Sequence, residues 1–467
     1  MPLNDLHFQP LTTVAAHIKN GDVSPVEVTE AILARIERYD GALKSFTTVT
    51  ADLALAQAKQ AESEISRGIY RGPMHGIPIA VKDLCFTKGI TTTGGMAIHA
   101  NFKPDHDATV VTKLAQAGAV LLGKLHMTEG ATLEHHPELP EPVNPWKSDL
   151  WTGVSSSGSG VATAAGMAYA TIGSDTGGSI RFPAACNGLT GIKPTWGLVS
   201  RYGIFDLAAT FDHLGPIARS AADAAAMLQT LAGWDVNDTT SLPGPVPNYL
   251  AGLDGVYGAR GMRIGLDWTF GATDADPVSM GLIADAVAVL ASLGALPVDV
   301  KFPSVERVLD HTMILIMAEM AAHHEGTYPS QAARYGKWIS QGMEAGRNAN
   351  PVELGKGIIE RQKFRGALVT MLDGVDAFVL PVFGRGTPTW TEVREVIAED
   401  FNIIGKFTSP LNAAGVPSVT LPCGYTDDGR PVAFQLVGTH GSEQTLLRIA
   451  HAYQQATDWH TRRPPGF

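Results

Sequence analysis

Residues 151–181, WTGVSSSGSGVATAAGMAYATIGSDTGGSIR, hold two Gly/Ser-rich turns, 153–160 and 173–179, on either side of an Ala-rich run that ends in Tyr169-Ala170-Thr171-Ile172. A helix over 159–168 rises about 1.5 Å per residue and a strand over 169–173 about 3.3 Å, so the outward and return paths have similar lengths. The second turn is then carried back beside the first. Serine hydroxyls and free backbone N–H groups meet at one end of a helix–strand pair, where acyl transfer needs a nucleophile and an oxyanion hole. A Ser/Gly run taken alone is more commonly a flexible linker, so the rest of the chain decides between the two.

The flanking sequence reads as an α/β protein. Ser24-Pro25-Val26-Glu27 supplies an N-cap, a proline at the first helical position and a capping-box glutamate. Val28, Ile32, Ile36 and Tyr39 line one face of the helix that follows. A short strand over 46–50 and a helix over 51–67 complete an N-terminal helical section of about 68 residues packing on the core. Gly76-Ile77-Pro78-Ile79-Ala80-Val81 is an apolar strand that runs directly into Lys82 and Asp83. Such a strand end either delivers a charge inward or is an ordinary exposed terminus. A helix over 107–117, stopped by Gly118, and a buried strand over 119–124 then set up the helix–strand alternation of an α/β sheet. Downstream, 188–203 is turn-rich and 220–232 is a helix with a serine cap. Strands are expected at 262–266, 295–300 and 376–383, and a helix at 284–293. Residues 305–362 are mostly helical and Met-rich, 411–422 and 431–438 are paired strand segments, and 444–457 is a closing helix. With no internal repeat and no linker, residues 1–467 form a single domain.

Composition narrows the function classes. The 467 residues are 45% hydrophobic, enough for a sizeable core, and the net charge of −11 comes without a basic block. That argues against nucleic acid or an anionic membrane surface as a partner. Cys85, Cys186 and Cys423 form no CxxC pair, and their odd number fits a reducing compartment. The N-terminus has no basic start followed by an apolar run, and no apolar stretch reaches the ~20 residues that span a bilayer. These features describe a cytoplasmic protein. The doublets His135-His136 and His323-His324 lack HExxH or CxxC context, so no metal site is expected. Neither Gly-rich turn offers GxxxxGK[ST], which removes a phosphate-binding loop.

Read together, GIPIAVKD at 76–83, GVSSSGSG at 153–160 and SDTGGSIRFPAACNGLTGIKPT at 174–195 resemble the amidase signature family of serine hydrolases, and TFDHLGPIARSAADA at 210–224 agrees with it. The resemblance covers nearly the whole chain. It implies a single α/β domain with a twisted mixed β-sheet flanked by helices on both faces. It places the nucleophile at Ser179, the bridging serine at Ser155 and the lysine base at Lys82, with Asp175 and Arg181 in support. The family serine attacks a carbonyl carbon to give an acyl-enzyme that water cleaves, without cofactor or metal. Lys82 must then be neutral, which burial favours. Backbone N–H groups of Thr176, Gly177, Gly178 and Ser179 are the expected oxyanion hole. Met127 and Phe182 are expected in the substrate pocket, with further walls from 133–146, 313–338 and 383–407. Two departures from the family pattern stand out. Val154 stands where glycine is usual before the bridging serine, a residue that in the family typically follows a cis peptide bond. Leu125-His126 stands where Thr-Asn is usual beside Met127. The expected substrate is a neutral small-molecule amide or carbamate (a urethane), cleaved by a stand-alone monomer or homodimer. The alternative is a subunit of a glutamine-dependent amidotransferase, since one branch of the family works with partner chains and tRNA.

Overall fold

The computed structural model describes residues 3–253 and 255–467. Strands β1 (Phe46–Val49), β2 (Pro78–Lys82), β3 (Val120–Leu125), β4 (Ala170–Asp175), β5 (Thr190–Lys193), β6 (His213–Ala218), β7 (Arg263–Leu266), β8 (Leu296–Asp299), β9 (Ala377–Pro381), β10 (Ser418–Tyr425) and β11 (Pro431–Val437) join in one sheet. Their order is β1-β3-β2-β4-β6-β5-β10-β11-β9-β7-β8. The sheet is mixed. β2 is parallel to both β3 and β4, and β7 to both β8 and β9, while the remaining pairs are antiparallel. Parallel neighbours need a crossover, supplied between β2 and β3 by helix Thr109–Gln116. Every residue of β2, β3, β4 and β6 is buried, and β2 and β3 accordingly read as near-continuous apolar runs instead of alternating ones.

Helices flank the sheet. Ser157–Ala164 packs on β4, Arg181–Cys186 on β5, β10 and β11, and Ala221–Leu231 on β6. One continuous apolar core runs from Leu6 to Tyr453. The N-terminal capping box is formed as expected: the Ser24 hydroxyl accepts the Glu27 N–H at 3.1 Å and the Glu27 carboxylate accepts the Ser24 N–H at 2.8 Å. Among the described residues no helix is long and apolar enough to cross a membrane.

Several boundaries differ from the sequence expectation. The helix expected at 159–168 occupies Ser157–Ala164, and β4 runs on to Asp175. The helix expected from 284 starts at Pro277, because the Asp276 carboxylate caps the Ser279 N–H at 2.8 Å and Pro277 takes the first helical position. Residues expected as strand from 411 begin as helix Ser409–Ala414, closed by Gly415 at φ 73°, and β10 starts only at Ser418. The turn-rich 188–203 contains the central strand β5.

Candidate active site

The site is assembled where β2 and β4 end together. Their parallel register pairs Val81 with Ile172, so Lys82 at the end of β2 lies beside Ser174 on β4. Helix Ser157–Ala164 starts immediately after the GVSSS turn, and that turn is the third part of the cluster. Lys82 is fully buried, and its Nζ donates to Ser155 Oγ at 2.6 Å, Ser174 Oγ at 2.8 Å and Ser156 Oγ at 3.0 Å. Burial pulls its pKa down to about 7, and the charges of Cys85, Asp212 and Asp175 oppose the fall only in part. Asp83, its neighbour in sequence, is paired elsewhere: it accepts the Thr93 N–H at 2.9 Å and lies 3.4 Å from Lys124 Nζ, which also donates to Thr92 Oγ1 and the Cys85 carbonyl. The Lys-Asp pair therefore splits between a buried serine network around Lys82 and an ion pair of Asp83 with Lys124.

The Val154–Ser155 peptide is cis, as the resemblance implied, and Val154 lines the cavity in front of the serines. Gly153 has φ 75°, and a Cβ there would lie 2.4 Å from the Pro183 nitrogen, so this position tolerates only glycine. Ser179 is 9% exposed at the cavity floor. Among the described residues its hydroxyl has no hydrogen-bond partner. The two serine turns are joined through the backbone instead, the Ser156 N–H donating to the Ser179 carbonyl at 3.3 Å.

Asp175 and Arg181 hold the second turn in shape. The Asp175 carboxylate accepts the Gly178 N–H at 2.8 Å, the Ile180 N–H at 3.0 Å, and Arg181 Nε and Nη2 at 3.0 and 2.9 Å. Burial alone would raise its pKa, but the Arg181 charge and these hydrogen bonds outweigh burial and hold it far below the usual carboxylate range. Arg181 also reaches the Thr408 carbonyl at 3.1 Å and Asn412 Oδ1, and Thr408 Oγ1 donates to the Gly177 carbonyl at 2.6 Å. Of the four N–H groups expected in the oxyanion hole, that of Gly178 is thus committed to Asp175. Those of Thr176, Gly177 and Ser179 have no protein partner among the described residues. Thr176 is steadied by its hydroxyl, which donates to Asp212, a carboxyl that burial raises to about 7.

A cavity of about 260 Å³ opens over Ser179. Phe182 lines it as expected, as do Leu133, Met313, Met317, Met320, Trp338 and Ile404 from the three anticipated wall segments. Met127 does not. It is 2% exposed in the main core, because the Thr128 N–H is tied to the Ser155 carbonyl at 3.2 Å and the preceding residue is folded inward. His126 is also buried and its pKa falls to about 4, so the Leu-His departure places a neutral imidazole behind the site and not on the pocket wall. Among the described residues, none that lines the cavity carries a charged side chain at neutral pH. The described residues contain no group of three or more His, Cys, Asp or Glu able to hold a metal ion, and the three cysteines are buried and free.

Sequence reasoning missed Ser156 and Ser174 as partners of Lys82, although both lie within the quoted motifs. It also missed Thr408 and Asn412, more than 220 residues away, for which the sequence carries no local signal.

Residues 27–447 match the family model described as Amidase. A putative amidase, AmiD, of Mycobacterium tuberculosis is 44% identical over 458 residues, covering 97% of this chain and 95% of the relative. A glutamyl-tRNA(Gln) amidotransferase subunit from Chloroflexus aurantiacus is 37% identical over 488 residues, covering 99% of each. Among solved structures, native peptide amidase from Stenotrophomonas maltophilia superposes with a TM-score of 0.84 at 31% identity, over 98% of both chains. A family match across most of the length, relatives aligned nearly end to end and a shared fold lead to one conclusion: the chain belongs to the amidase signature family, as an enzyme that hydrolyses amide C–N bonds.

Proposed function

We propose that this chain is a stand-alone amidohydrolase for neutral carboxamides with an apolar or aromatic acyl or leaving part, with anilides and carbamates (urethanes) in the same range. Ser179 is the nucleophile, Ser155 the relay and Lys82 the base. The observation that carries this reading is a fully buried amine, hydrogen-bonded to three serine hydroxyls and titrating near neutrality, beside an apolar cavity that opens over a serine.

The steps follow from those positions. Neutral Lys82 accepts the Ser155 proton, Ser155 accepts that of Ser179, and the Ser179 oxygen attacks the carbonyl carbon. The negative charge that grows on the carbonyl oxygen is met by the free N–H groups of Thr176, Gly177 and Ser179, prealigned by Asp175 and Arg181. Lys82, now protonated, returns the proton through Ser155 to the departing amine. Water then cleaves the acyl-enzyme by the same route in reverse. Closing the relay requires the Ser179 hydroxyl to turn toward Ser155 when substrate fills the cavity, a tightening common between free and substrate-bound states.

The second reading, an amidotransferase subunit, is favoured by relatives at 37% identity. It requires the site to hold glutamine, whose carboxylate and ammonium would find no counter-charge among the cavity-lining side chains. Measuring kcat/KM for neutral p-nitroanilides, aryl carbamates and glutamine under one condition separates the two. Glutamine better by tenfold or more, about 1.4 kcal/mol of transition-state stabilisation, would overturn the apolar-substrate reading.

A further inference from the structure

Helix Lys337–Arg347 supplies Trp338, Gln341 and Gly342 to one wall of the cavity, yet its own sequence does little to fix where it begins. Its N-cap is Gly336, which offers no side-chain cap, and its first turn holds no acidic residue. The missing group comes from another part of the chain. Glu129, 2% exposed, turns both carboxylate oxygens onto the Gly336 N–H at 3.0 Å each. This is the carboxylate-at-N-terminus arrangement that satisfies an orphan donor and complements the helix dipole, made across 207 residues of sequence. The fit is close. A Cβ on Gly336 would sit 2.3 Å from Glu129 Oε2, and one on Gly130 would sit 2.5 Å from the Ile339 side chain.

Glu129 also belongs to a tight turn that forms the neighbouring wall. The Thr132 N–H and hydroxyl both donate to the Glu129 carbonyl, at 2.9 and 2.6 Å, and Thr128 Oγ1 donates to the Thr132 carbonyl at 2.6 Å. The turn is fastened to the Ser155 carbonyl by the Thr128 N–H at 3.2 Å, and it carries Ala131, Thr132 and Leu133 into the cavity. One carboxylate thus spans the two walls, one wall being bonded to the catalytic turn and the other being a separate helix.

We infer that Glu129 is a positioning residue that sets substrate size selectivity: by accepting the Gly336 N–H it locks helix Lys337–Arg347 against the 128–134 turn and fixes the spacing between Trp338 and Leu133. This inference rests on the amidohydrolase reading above. A short acyl group occupies only the floor formed by Ser179 and its turn, whereas a long or aromatic one reaches both walls, so loss of the lock penalises the large substrate alone.

The test compares wild type, Glu129→Ala and Glu129→Gln on acetyl and long-acyl p-nitroanilides, alongside the labelling rate of Ser179 by a small fluorophosphonate. Glu129→Ala should raise KM for the long-acyl substrate at least tenfold, with the acetyl substrate and the labelling rate within threefold of wild type. Glu129→Gln keeps an oxygen acceptor for the Gly336 N–H and should restore the size ratio to within threefold. The inference is overturned if Glu129→Ala leaves the size ratio unchanged, if it slows labelling as much as it weakens the long substrate, or if Gln is no better than Ala. Should Glu129→Ala not fold, Gly336→Ala takes its place, since the backbone there, at φ −66°, accepts alanine while its Cβ, 2.3 Å from Glu129 Oε2, forces the carboxylate off the N–H. The same size-selective loss is expected, and its absence would refute the lock. If wild-type protein is labelled elsewhere than at Ser179, the failure lies in the amidohydrolase reading and not in the role of Glu129.

Discussion

Replacing Lys82 by methionine separates its chemistry from its cost to the fold. The move of its pKa from 10.5 to about 7 means that the interior disfavours the charged amine by ~5 kcal/mol. In the native enzyme the neutral fraction is about one tenth at pH 6 and about nine tenths at pH 8, so kcat/KM for a neutral anilide should climb with an apparent pKa near 7 and then level. The stability effect has a definite sign. Between about pH 7 and 10.5 the unfolded chain binds a proton at this lysine that the native state does not, so wild-type stability rises with pH across that window. Below about pH 7 both states hold the proton and the full penalty remains. Lys82→Met removes this titration, and the part of the variant's cost that does not titrate cancels when the two pH values are compared. Relative to the variant, wild type should therefore gain ~2 kcal/mol between pH 7 and pH 9. At ~2.1 cal/mol/K of unfolding entropy per residue over 467 residues, that is about 2 °C in the difference between the two Tm values. Paired calorimetric scans at the two pH values measure it. A Tm difference independent of pH, together with an acid limb lying above pH 9, would refute a buried lysine titrating near neutrality.

Ser179→Ala should retain less than about a thousandth of wild-type turnover and lose fluorophosphonate labelling, as read by intact-protein mass. Asp175→Asn leaves the Arg181 guanidinium buried without its counter-charge, so a loss of ~3–5 kcal/mol is expected, seen as a Tm lower by about 3–5 °C; a change under 1 °C would show that the pair is not needed to hold the turn. Gly178→Ala places a methyl 2.4 Å from the Phe182 ring at φ 143°, distorting the turn that presents the proposed oxyanion donors, and should lower kcat about a hundredfold with a smaller effect on KM. Steady-state kinetics with unchanged kcat would remove the turn from the chemistry.

Which parts of the fold could be read from the chain depended on whether burial left a local trace. The capping box at Ser24 and the apolar runs of β2 and β3 did, since each is fixed by contiguous residues. β6 did not. It carries Gly215 and Pro216 in the middle of a central strand, a composition that argues against a strand by itself. Its tertiary setting explains the glycine: a Cβ on Gly215 would lie 2.1 Å from the Ile192 carbonyl, so the neighbouring strand leaves no room for a side chain. Residues 411–414 failed for the opposite reason. Their apolar character fits a buried strand as well as the buried helix Ser409–Ala414, and length alone does not separate the two. In the site, the proposed triad of Lys82, Ser155 and Ser179 could be named because each residue sits in a short motif. Glu129 and Asn412 were not, because their partners lie hundreds of residues away and neither stretch has unusual composition.

The same division separates chemistry from selectivity. The proposed reacting groups come from the ends of β2 and β4 and the turns beside them, whereas much of the cavity wall comes from helices Glu306–His323 and Lys337–Arg347, which lie between β8 and β9 in the chain. A wall residue can therefore change without disturbing the Lys82 network. Gly342 is the sharpest case. A Cβ there would lie 2.5 Å from the terminal methyl of Met320, the far end of a flexible side chain and not backbone. Gly342→Ala should displace that methyl into the cavity, while the alanine itself favours the helix by ~1 kcal/mol. Folding stability should hold or rise, and the cavity should shorten by roughly one methyl group. In steady-state kinetics with acyl anilides of increasing length, the longest should lose kcat/KM by about tenfold, a scale set by ~1–3 kcal/mol per misfitted methylene, with the acetyl substrate unchanged. Equal losses at every length would mean that this wall reports on the catalytic turn after all, and the separation of wall from chemistry would fail.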